Sequence, residues 1–172
     1  MPEAFQSPHA PAILGALQWQ RRRNDCGPYT TATVMNALCG TRVDGALLAR
    51  QMARPAWRGW FPVVRRIPNW ATFPWGIADV LRRNGLDASW RFFASPEFLL
   101  YELCKGQVLM AVTGSWRPLW AHVMTLLASD PLKGWGFANT QRDDHQMEWV
   151  DNKIFVRQWR AMGNLLIGVK VP

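Results

Sequence analysis

Residues 19–29 have the sequence WQRRRNDCGPY, and their cysteine stands at the start of a predicted helix. The helix is predicted over residues 27–38, because apolar residues recur every three positions along one side. Pro28 suits its first turn and Gly40 its C-terminal stop. A thiol at a helix N-terminus feels the positive end of the macrodipole, which favours the nucleophilic thiolate. Cys26 is therefore a candidate nucleophile; the alternative is a small buried cysteine, the commoner fate of a free thiol.

Gln20 precedes Cys26 by six residues. This spacing is short enough for the Gln20 amide to lie beside the sulfur and donate a hydrogen bond to an oxyanion. The three neighbouring residues Asn24, Asp25 and Tyr29 are candidates for shaping a groove around the thiol.

His122 and Asn139 lie on two strands that the sequence predicts to pair. Residues 119–128 are apolar on both faces of the predicted strand, so His122 is expected to be buried and to need hydrogen-bond partners. A returning strand is predicted over residues 135–141. A hairpin with its centre near Asp130 places Asn139 nearly opposite His122, with their Cβ atoms about 5 Å apart. The alternative is that His122 is a core histidine whose hydrogen bonds are satisfied.

The spacing of Gln20 and the sequence Asp25-Cys26-Gly27-Pro28 resembles that of the papain-like bacterial peptidases that remove bacteriocin leader peptides after double-glycine sites, and of their stand-alone relatives. The resemblance implies that Cys26 attacks an amide carbonyl and that Gln20 helps to form the oxyanion hole. It further implies that His122 is the base and that Asn139, seventeen residues later, orients it. Leader peptidases usually have Asp at this third position, so Asn139 departs from their pattern and resembles plant papain-like enzymes.

The fold that the resemblance and the order of elements predict is papain-like α+β. An N-terminal helical part carries the cysteine, and an antiparallel sheet that carries the histidine and the asparagine follows it. Residues 1–18 are predicted to be an N-terminal arm and residues 19–172 a single domain. Further helices are predicted over residues 45–52, 75–84, 95–105 and 148–159, and further strands over 86–93, 108–112 and 165–171. Residues 55–74 have no clear pattern, and they are interpreted as a loop packed on its own tryptophans in preference to a substrate-facing flap.

Composition limits the possible partners. The formal net charge of +8 favours an anionic partner, but no nucleic-acid-binding motif is present. Three cysteines, an odd number, argue against a disulfide framework, and Cys39 and Cys104 are interpreted as packing residues. Neither a signal-peptide pattern nor a membrane-spanning run is found, which slightly favours the cytoplasm. No metal or cofactor motif is found, so a peptide or protein substrate is the partner expected.

Other residues and other functions compete with this interpretation. Asp130 is expected to stabilise the turn, and Asp143 and Asp144 to lie in a solvated loop with His145, a fallback base. The basic charge also suits a cell-wall peptide amidase of the same clan, and an acyltransferase would use the same thioester chemistry. A catalytically silent peptide-binding domain is the third alternative, against which the presence of thiol, imidazole and amide together argues.

Overall fold

The computed structural model describes residues 4–171, apart from the side chain of Arg58. The helices in this range are α1 (Ala10–Gly15), α2 (Cys26–Cys39), α3 (Gly45–Met52), α4 (Pro74–Arg83), α5 (Pro96–Cys104) and α6 (Asn152–Ala161). The strands are β1 (Phe5–Gln6), β2 (Ala56–Arg58), β3 (Phe61–Val63), β4 (Arg66–Ile67), β5 (Ala71–Thr72), β6 (Asp87–Arg91), β7 (Val108–Trp116), β8 (Leu119–Asp130), β9 (Gly134–Ala138), β10 (Glu148–Val150) and β11 (Leu166–Lys170).

The main sheet is antiparallel, with the strand order β10-β9-β8-β7-β11-β6 and with β1 paired to β8. Alternate residues of β7 enter two separate cores: Val108 and Met110 pack with α1 to α4, whereas Leu109 and Ala111 pack with α5 and α6. This alternation follows from the two-residue period of a strand and places helices on both faces of the sheet. The α+β prediction, with the helical part first and the antiparallel sheet after it, is confirmed.

The helix ends that were predicted from capping residues agree closely with the structure. Helix α2 ends at Gly40, whose φ of 63° is left-handed and suits glycine. The Asp44 side chain accepts a hydrogen bond from the Leu47 N–H at 2.7 Å and caps α3. The Ser95 hydroxyl caps α5 in the same way, at 3.2 Å from the Phe98 nitrogen. Each cap satisfies an N–H that the first turn of a helix leaves without a partner.

Within residues 4–18, the predicted N-terminal arm contains a short strand and a short helix. Strand β1 pairs with the C-terminal part of β8, and α1 buries Ala10 and Ile13 completely in the same core as α2. A two-residue strand and a six-residue helix are too short to show a period, so the sequence pattern gave no sign of them.

The helix predicted over residues 148–159 begins too early. Residues 148–150 form β10, which pairs with β9, and α6 starts at Asn152. Asp151 separates the two elements, because its carboxylate accepts hydrogen bonds from the N–H groups of Lys153 and Ile154 and so caps α6.

Residues 55–74 form two small antiparallel pairs, β2–β3 and β4–β5. Their tryptophans are largely exposed: 67% for Trp57, 93% for Trp60 and 60% for Trp70. The interpretation as a loop packed on its own tryptophans is therefore wrong. Arginines fix this segment to α3 instead, with Arg65 Nη2 2.9 Å from the Gln51 carbonyl oxygen and Arg66 Nη1 3.0 Å from that of Ala49.

Candidate active site

Cys26 is the first residue of α2, and the turn before it is fixed by a buried ion pair. The Asp25 carboxylate binds the guanidinium of Arg66, on β4. On the other side of Cys26, a Cβ placed on Gly27 would lie 2.5 Å from Thr72 Cβ, so only glycine allows this approach of α2 to β5. The half-buried thiol is thus held between its own helix and the 55–74 segment.

The protonation state of Cys26 differs from the sequence-based prediction. Burial raises the pKa of the Cys26 thiol above its ordinary value, and this effect outweighs the main-chain hydrogen bonds at Val123 and Gly27, which lower it. The expected preference for thiolate at the helix N-terminus is therefore wrong for the free protein, because desolvation penalises the charged form more than the main-chain hydrogen bonds stabilise it. Cys26 rests as a thiol.

His122, on β8, is buried and its Nε2 lies 2.7 Å from Asn139 Oδ1. The register differs from the prediction, because the β8–β9 ladder is interrupted between Leu126 and Ala128 and ends with Ala138 opposite Thr125. Asn139 follows β9 directly, and continuing the ladder would place it opposite Met124 instead of His122. The two side chains meet along the diagonal, a distance that long side chains span.

The hydrogen bonds of Asn139 define the tautomer of His122. Asn139 Oδ1 also accepts from the Gln141 main-chain N–H at 2.9 Å, and Asn139 Nδ2 lies 2.5 Å from Glu148 Oε2. Because a main-chain N–H can only donate and a carboxylate can only accept, Oδ1 must face His122. The proton of the neutral ring is therefore on Nε2, and Nδ1 is left as the basic nitrogen.

Burial lowers the pKa of His122, whereas its hydrogen bond to Asn139 and the negative charge of Glu148 act in the opposite direction. The ring is consequently neutral at neutral pH, which is the form that can accept a proton. A neutral imidazole and a neutral thiol make up the resting pair.

Cys26 and His122 line one cleft, whose volume is about 70 Å³. The other lining residues come from the turn before α2, from β5 and α4, and from β7 and β8: Asn24, Gly27, Trp70, Ala71, Thr72, Pro74, Ile77, Val112, Ala121 and Val123. Residues 70–72 of the unpatterned segment thus form part of the wall of this cleft. A larger cavity of about 430 Å³ between α5 and the β6–β11 edge contains neither cysteine nor histidine, so it offers no comparable pair.

Gln20 is buried and held by four hydrogen bonds, but it is not among the described residues that line the cleft. Its Oε1 accepts from the Thr140 hydroxyl at 2.6 Å, and its Nε2 donates to the Arg23 carbonyl at 2.8 Å. The Gln20 main-chain N–H donates to the Thr140 carbonyl at 2.8 Å, and the Gln20 carbonyl accepts from the Arg23 N–H at 3.4 Å. The contacts with Thr140 join the segment before α2 to the residue after Asn139, and one N–H of the Gln20 amide remains for another acceptor.

The remaining candidates have structural or solvated positions. Of the predicted groove residues only Asn24 lines the cleft, because Asp25 binds Arg66 and Tyr29 packs against Gly45. Asp130 accepts hydrogen bonds from the N–H groups of Leu132 and Lys133 in the β8–β9 turn, as predicted. The predicted solvated loop with Asp143, Asp144 and His145 is exposed, and so are Cys39 and Cys104, which were wrongly interpreted as packing residues.

Two residues of the site were missed by sequence reasoning. Glu148 was assigned to a helix, and Arg66 was seen only as part of an arginine pair. The sequence spacing of neither residue predicts its role, because the contacts of Glu148 with Asn139 and of Arg66 with Asp25 form only in the folded structure. Within residues 4–171, no group of three or more His, Cys, Asp or Glu side chains is placed to hold a metal, and no described helix is long and apolar enough to cross a bilayer.

These elements define an α+β protein in which a helix-terminal cysteine and a strand histidine share one cleft. Neither a family model nor a curated protein matches the chain. Among solved structures, it is similar to a crystal structure provisionally described as a C39-like peptidase from Bacillus anthracis, with a TM-score of 0.66. The two chains are 16% identical, and the match covers 86% of this chain and 89% of the other. The chain therefore has the fold of a C39-like peptidase.

Proposed function

We propose that this protein is a cysteine peptidase with a Cys26–His122–Asn139 triad. The observation that carries the proposal is that Cys26 lines a cleft together with a buried, neutral His122 whose Nε2 is bound by Asn139. A satisfied core histidine would have no reason to share a cleft with a thiol. The papain-like fold supports the same assignment, since this constellation of thiol, base and orienting group recurs in acyl-transfer enzymes.

In the proposed reaction, His122 Nδ1 accepts the proton of Cys26 as the sulfur attacks the carbonyl carbon of a peptide. The Cys26 main-chain N–H, at the start of α2, donates to the oxyanion of the tetrahedral intermediate. The imidazolium then protonates the leaving amine, and water hydrolyses the thioester. Asn139 keeps the ring in the tautomer with Nδ1 free. Gln20 contributes to the oxyanion site through the N–H that Arg23 does not use.

The cleft supports a substrate that is slender at the scissile bond. Its volume of about 70 Å³ leaves little room beside Cys26. Small residues, of which glycine is the smallest, fit between Cys26 and the wall formed by Trp70 and Thr72. This agrees with the small residues before the cleaved bond that the resemblance to leader peptidases implies.

A peptide-binding domain without catalysis is the second candidate, because the raised pKa of Cys26 leaves the thiol protonated at rest. The two candidates predict different reactivity for Cys26. A binding domain requires nothing of the thiol, whereas a peptidase requires His122 to deprotonate it.

The test is labelling by a peptidyl epoxide that alkylates active-site thiols, with the modified residue mapped by mass spectrometry. Accessibility alone favours Cys39 and Cys104, which are exposed, over the half-buried Cys26. We expect labelling of Cys26 only, and its loss in His122→Ala. Labelling of the exposed cysteines at the same rate, or labelling of Cys26 that is unchanged in His122→Ala, would contradict the triad. Cleavage profiling of a peptide library by the same preparation then tests for small residues at the scissile bond.

A further inference from the structure

Exposed aromatic residues collect at the end of the main sheet near the cleft. Arg91, Leu166, Ala111 and Met124 are aligned across β6, β11, β7 and β8. The residues that follow Arg91 and the β7–β8 turn therefore project from the same end of the sheet. There the exposed fractions are 86% for Phe93 and 70% for Trp116, and Phe92, Leu119 and Trp120 are also exposed. We call Phe92, Phe93, Trp116, Leu119 and Trp120 the aromatic tip.

A row of rings connects the aromatic tip to the wall of the cleft. Phe73 stacks on Trp75 with centroids 4.5 Å apart, and Trp75 lies 6.0 Å from Trp90. The row continues to Phe92, 5.7 Å from Trp90, and then to Phe93, 6.0 Å from Phe92. Phe73 and Trp75 are half-buried, whereas Trp90, Phe92 and Phe93 remain exposed although they pack against each other. Exposed apolar residues in such a cluster are typical of a surface that is covered when the protein works.

The charge around the aromatic tip is positive. Arg117 is exposed in the sequence Trp116-Arg117-Pro118-Leu119-Trp120, and Arg91, which precedes Phe92, is exposed with its guanidinium 4.5 Å from the centre of the Phe98 ring on α5. The segments 88–96 and 105–129 contain no aspartate or glutamate, and the whole chain has a net charge of +8. An apolar surface built from segments without acidic residues matches a partner that is apolar below an anionic layer.

We propose that the aromatic tip docks on an anionic lipid interface. Two separate segments present the rings, and Arg117 and Trp120 border a cavity of about 360 Å³ that Arg157 also lines, so basic charge extends beside the aromatic tip. Tryptophan and phenylalanine favour the headgroup region, and each nearby arginine adds attraction to anionic headgroups. The cleft lies at the same end of the sheet, so docking would hold it close to the membrane surface.

The test is co-flotation with phosphatidylcholine vesicles that contain or lack phosphatidylglycerol. We expect binding to the anionic vesicles, reduced about tenfold or more in the triple variant Phe93→Ala, Trp116→Ala and Leu119→Ala, since each loses a large apolar side chain. The double variant Arg91→Gln and Arg117→Gln should lose the preference for phosphatidylglycerol. Leu132→Ala is the matched control, because Leu132 is 97% exposed but lies in the β8–β9 turn, at the opposite end of β8.

Two outcomes would overturn this proposal. One is a wild-type protein that does not float with anionic vesicles. The other is binding that Leu132→Ala weakens as much as the triple variant does. If the wild type stays unbound while the triple variant raises KM for a peptide substrate, the aromatic tip is a substrate-binding surface instead.

A different observation assigns a role to Glu148, and this second inference rests on the proposed function. We propose that Glu148 is a positioning residue that keeps Asn139 Oδ1 turned toward His122. Asn139 Nδ2 lies 2.5 Å from Glu148 Oε2, and without that acceptor only the Gln141 N–H, 2.9 Å from Oδ1, opposes a rotation that would offer the amide nitrogen to the ring. The titratable groups that face His122 are Cys26 across the cleft and Glu148 behind Asn139.

The variants Glu148→Gln and Glu148→Ala distinguish the effect of Glu148 on the orientation of Asn139 from the effect of its negative charge on His122. Glu148→Gln keeps an oxygen for Asn139 but removes the charge that raises the pKa of His122, so the acid limb of kcat/KM should move to lower pH while kcat is largely kept. Glu148→Ala should lower kcat about tenfold or more by losing the orientation. The control is Asp144→Ala, which removes an exposed acid that pairs with Arg142.

NMR of the His122 ring can also test the role of Glu148, without a measurement of activity. In the wild type, its ¹⁵N NMR shifts should show the Nε2-protonated tautomer, with a mixture of tautomers in Glu148→Ala. An unchanged tautomer and an unchanged pH profile in both variants would overturn the role of Glu148. A wild-type protein with the expected tautomer but no hydrolysis would count against the proposed function instead.

Discussion

The two ends of the β8–β9 hairpin are made from the same strands but hold polar groups in opposite ways. At the closed end, the exposed Asp130 carboxylate accepts hydrogen bonds from the N–H groups of Leu132 and Lys133. At the open end, His122 and Asn139 are buried and bonded to each other. Water can replace a lost hydrogen bond at the closed end but not at the open end. The difference indicates that Asp130 shapes the hairpin at the closed end, whereas the open end holds the pair to which we assign a catalytic role.

Replacement of His122, the proposed base, should give the largest difference in activity between variants at the two ends of the hairpin. His122→Ala is expected to lower the rate of peptide hydrolysis by about 10⁴-fold or more, because the buried thiol then has no proton acceptor. Leu132→Ala, in the turn, is expected to leave the rate within about twofold, as exposed positions usually do. The measurement is kcat/KM on a fluorogenic peptide selected from the cleavage profile. Equal losses in the two variants would remove the functional distinction between the ends.

Removal of Gln20 should have the next largest effect. Gln20→Ala is expected to reduce kcat by about 10²–10³-fold if its amide donates to the oxyanion. Thr140→Val is the matched variant, because it removes only the hydrogen bond to Gln20 Oε1 and leaves the Gln20 amide nitrogen in place. Kinetics of both variants, with circular dichroism to check folding, distinguish the two roles. Equal kcat values for Gln20→Ala and Thr140→Val would mean that Gln20 acts only as a structural link.

Asn139 and Asp130 allow a direct comparison of the two ends. Asn139→Ala should lower kcat about 10²-fold, less than loss of the base, because a neutral amide contributes orientation and no charge. The variant also leaves polar groups of His122 and Glu148 unpaired, so we expect about 1–3 kcal/mol of destabilisation. Asp130→Ala should loosen the turn and leave kcat unchanged. If Asp130→Ala inactivates a well-folded protein and Asn139→Ala does not, the triad has to be assigned again.

The pH dependence of stability should show the smallest effects, and both ends contribute to it. The lowered pKa of His122 stabilises the fold above its ordinary value of 6.5, and this contribution is lost as the pH falls below that value. The pKa of Asp130, lowered by hydrogen bonds from Lys133 and Leu132, gives a loss only below 3.8. Cys26, with its raised pKa, acts in the opposite sense, and stability is lost as the pH rises above 9.0.

Thermal melts from pH 2 to pH 10 can resolve these three pH dependences, because a change of 1 kcal/mol moves Tm by about 2–4 °C in a domain of this size. His122→Gln should remove the slope that begins near pH 6.5, and His145→Gln, which changes an exposed ring, should retain it. A slope that persists in His122→Gln belongs to another group.

Sequence reasoning predicted elements that carry their own local signals. Asp44 and Ser95 each predicted the start of a helix, and the long run of apolar residues around His122 predicted a buried strand. The bulge in β8 has no such signal, so the pairing of Asn139 was predicted with the wrong register although the contact itself was correct. The thiolate prediction failed because burial, which decides the pKa of Cys26, depends on residues distant in sequence.

The ion pair between Arg66 and Asp25 has a consequence for the exchange of sequence segments, both in evolution and in protein engineering. Residues 70–72 form part of the cleft wall, and Arg66, a few positions earlier, binds Asp25 in the turn before Cys26. Under the proposed function, one short segment therefore contributes both to substrate specificity and to the position of the nucleophile. A chimaera in which residues 55–74 are exchanged to alter the proposed cleavage site would also receive a new residue at the position of Arg66, which binds Asp25. An exchange that omits Arg66 would leave the Asp25 carboxylate buried without its counter-ion, a change that costs several kcal/mol in buried pairs.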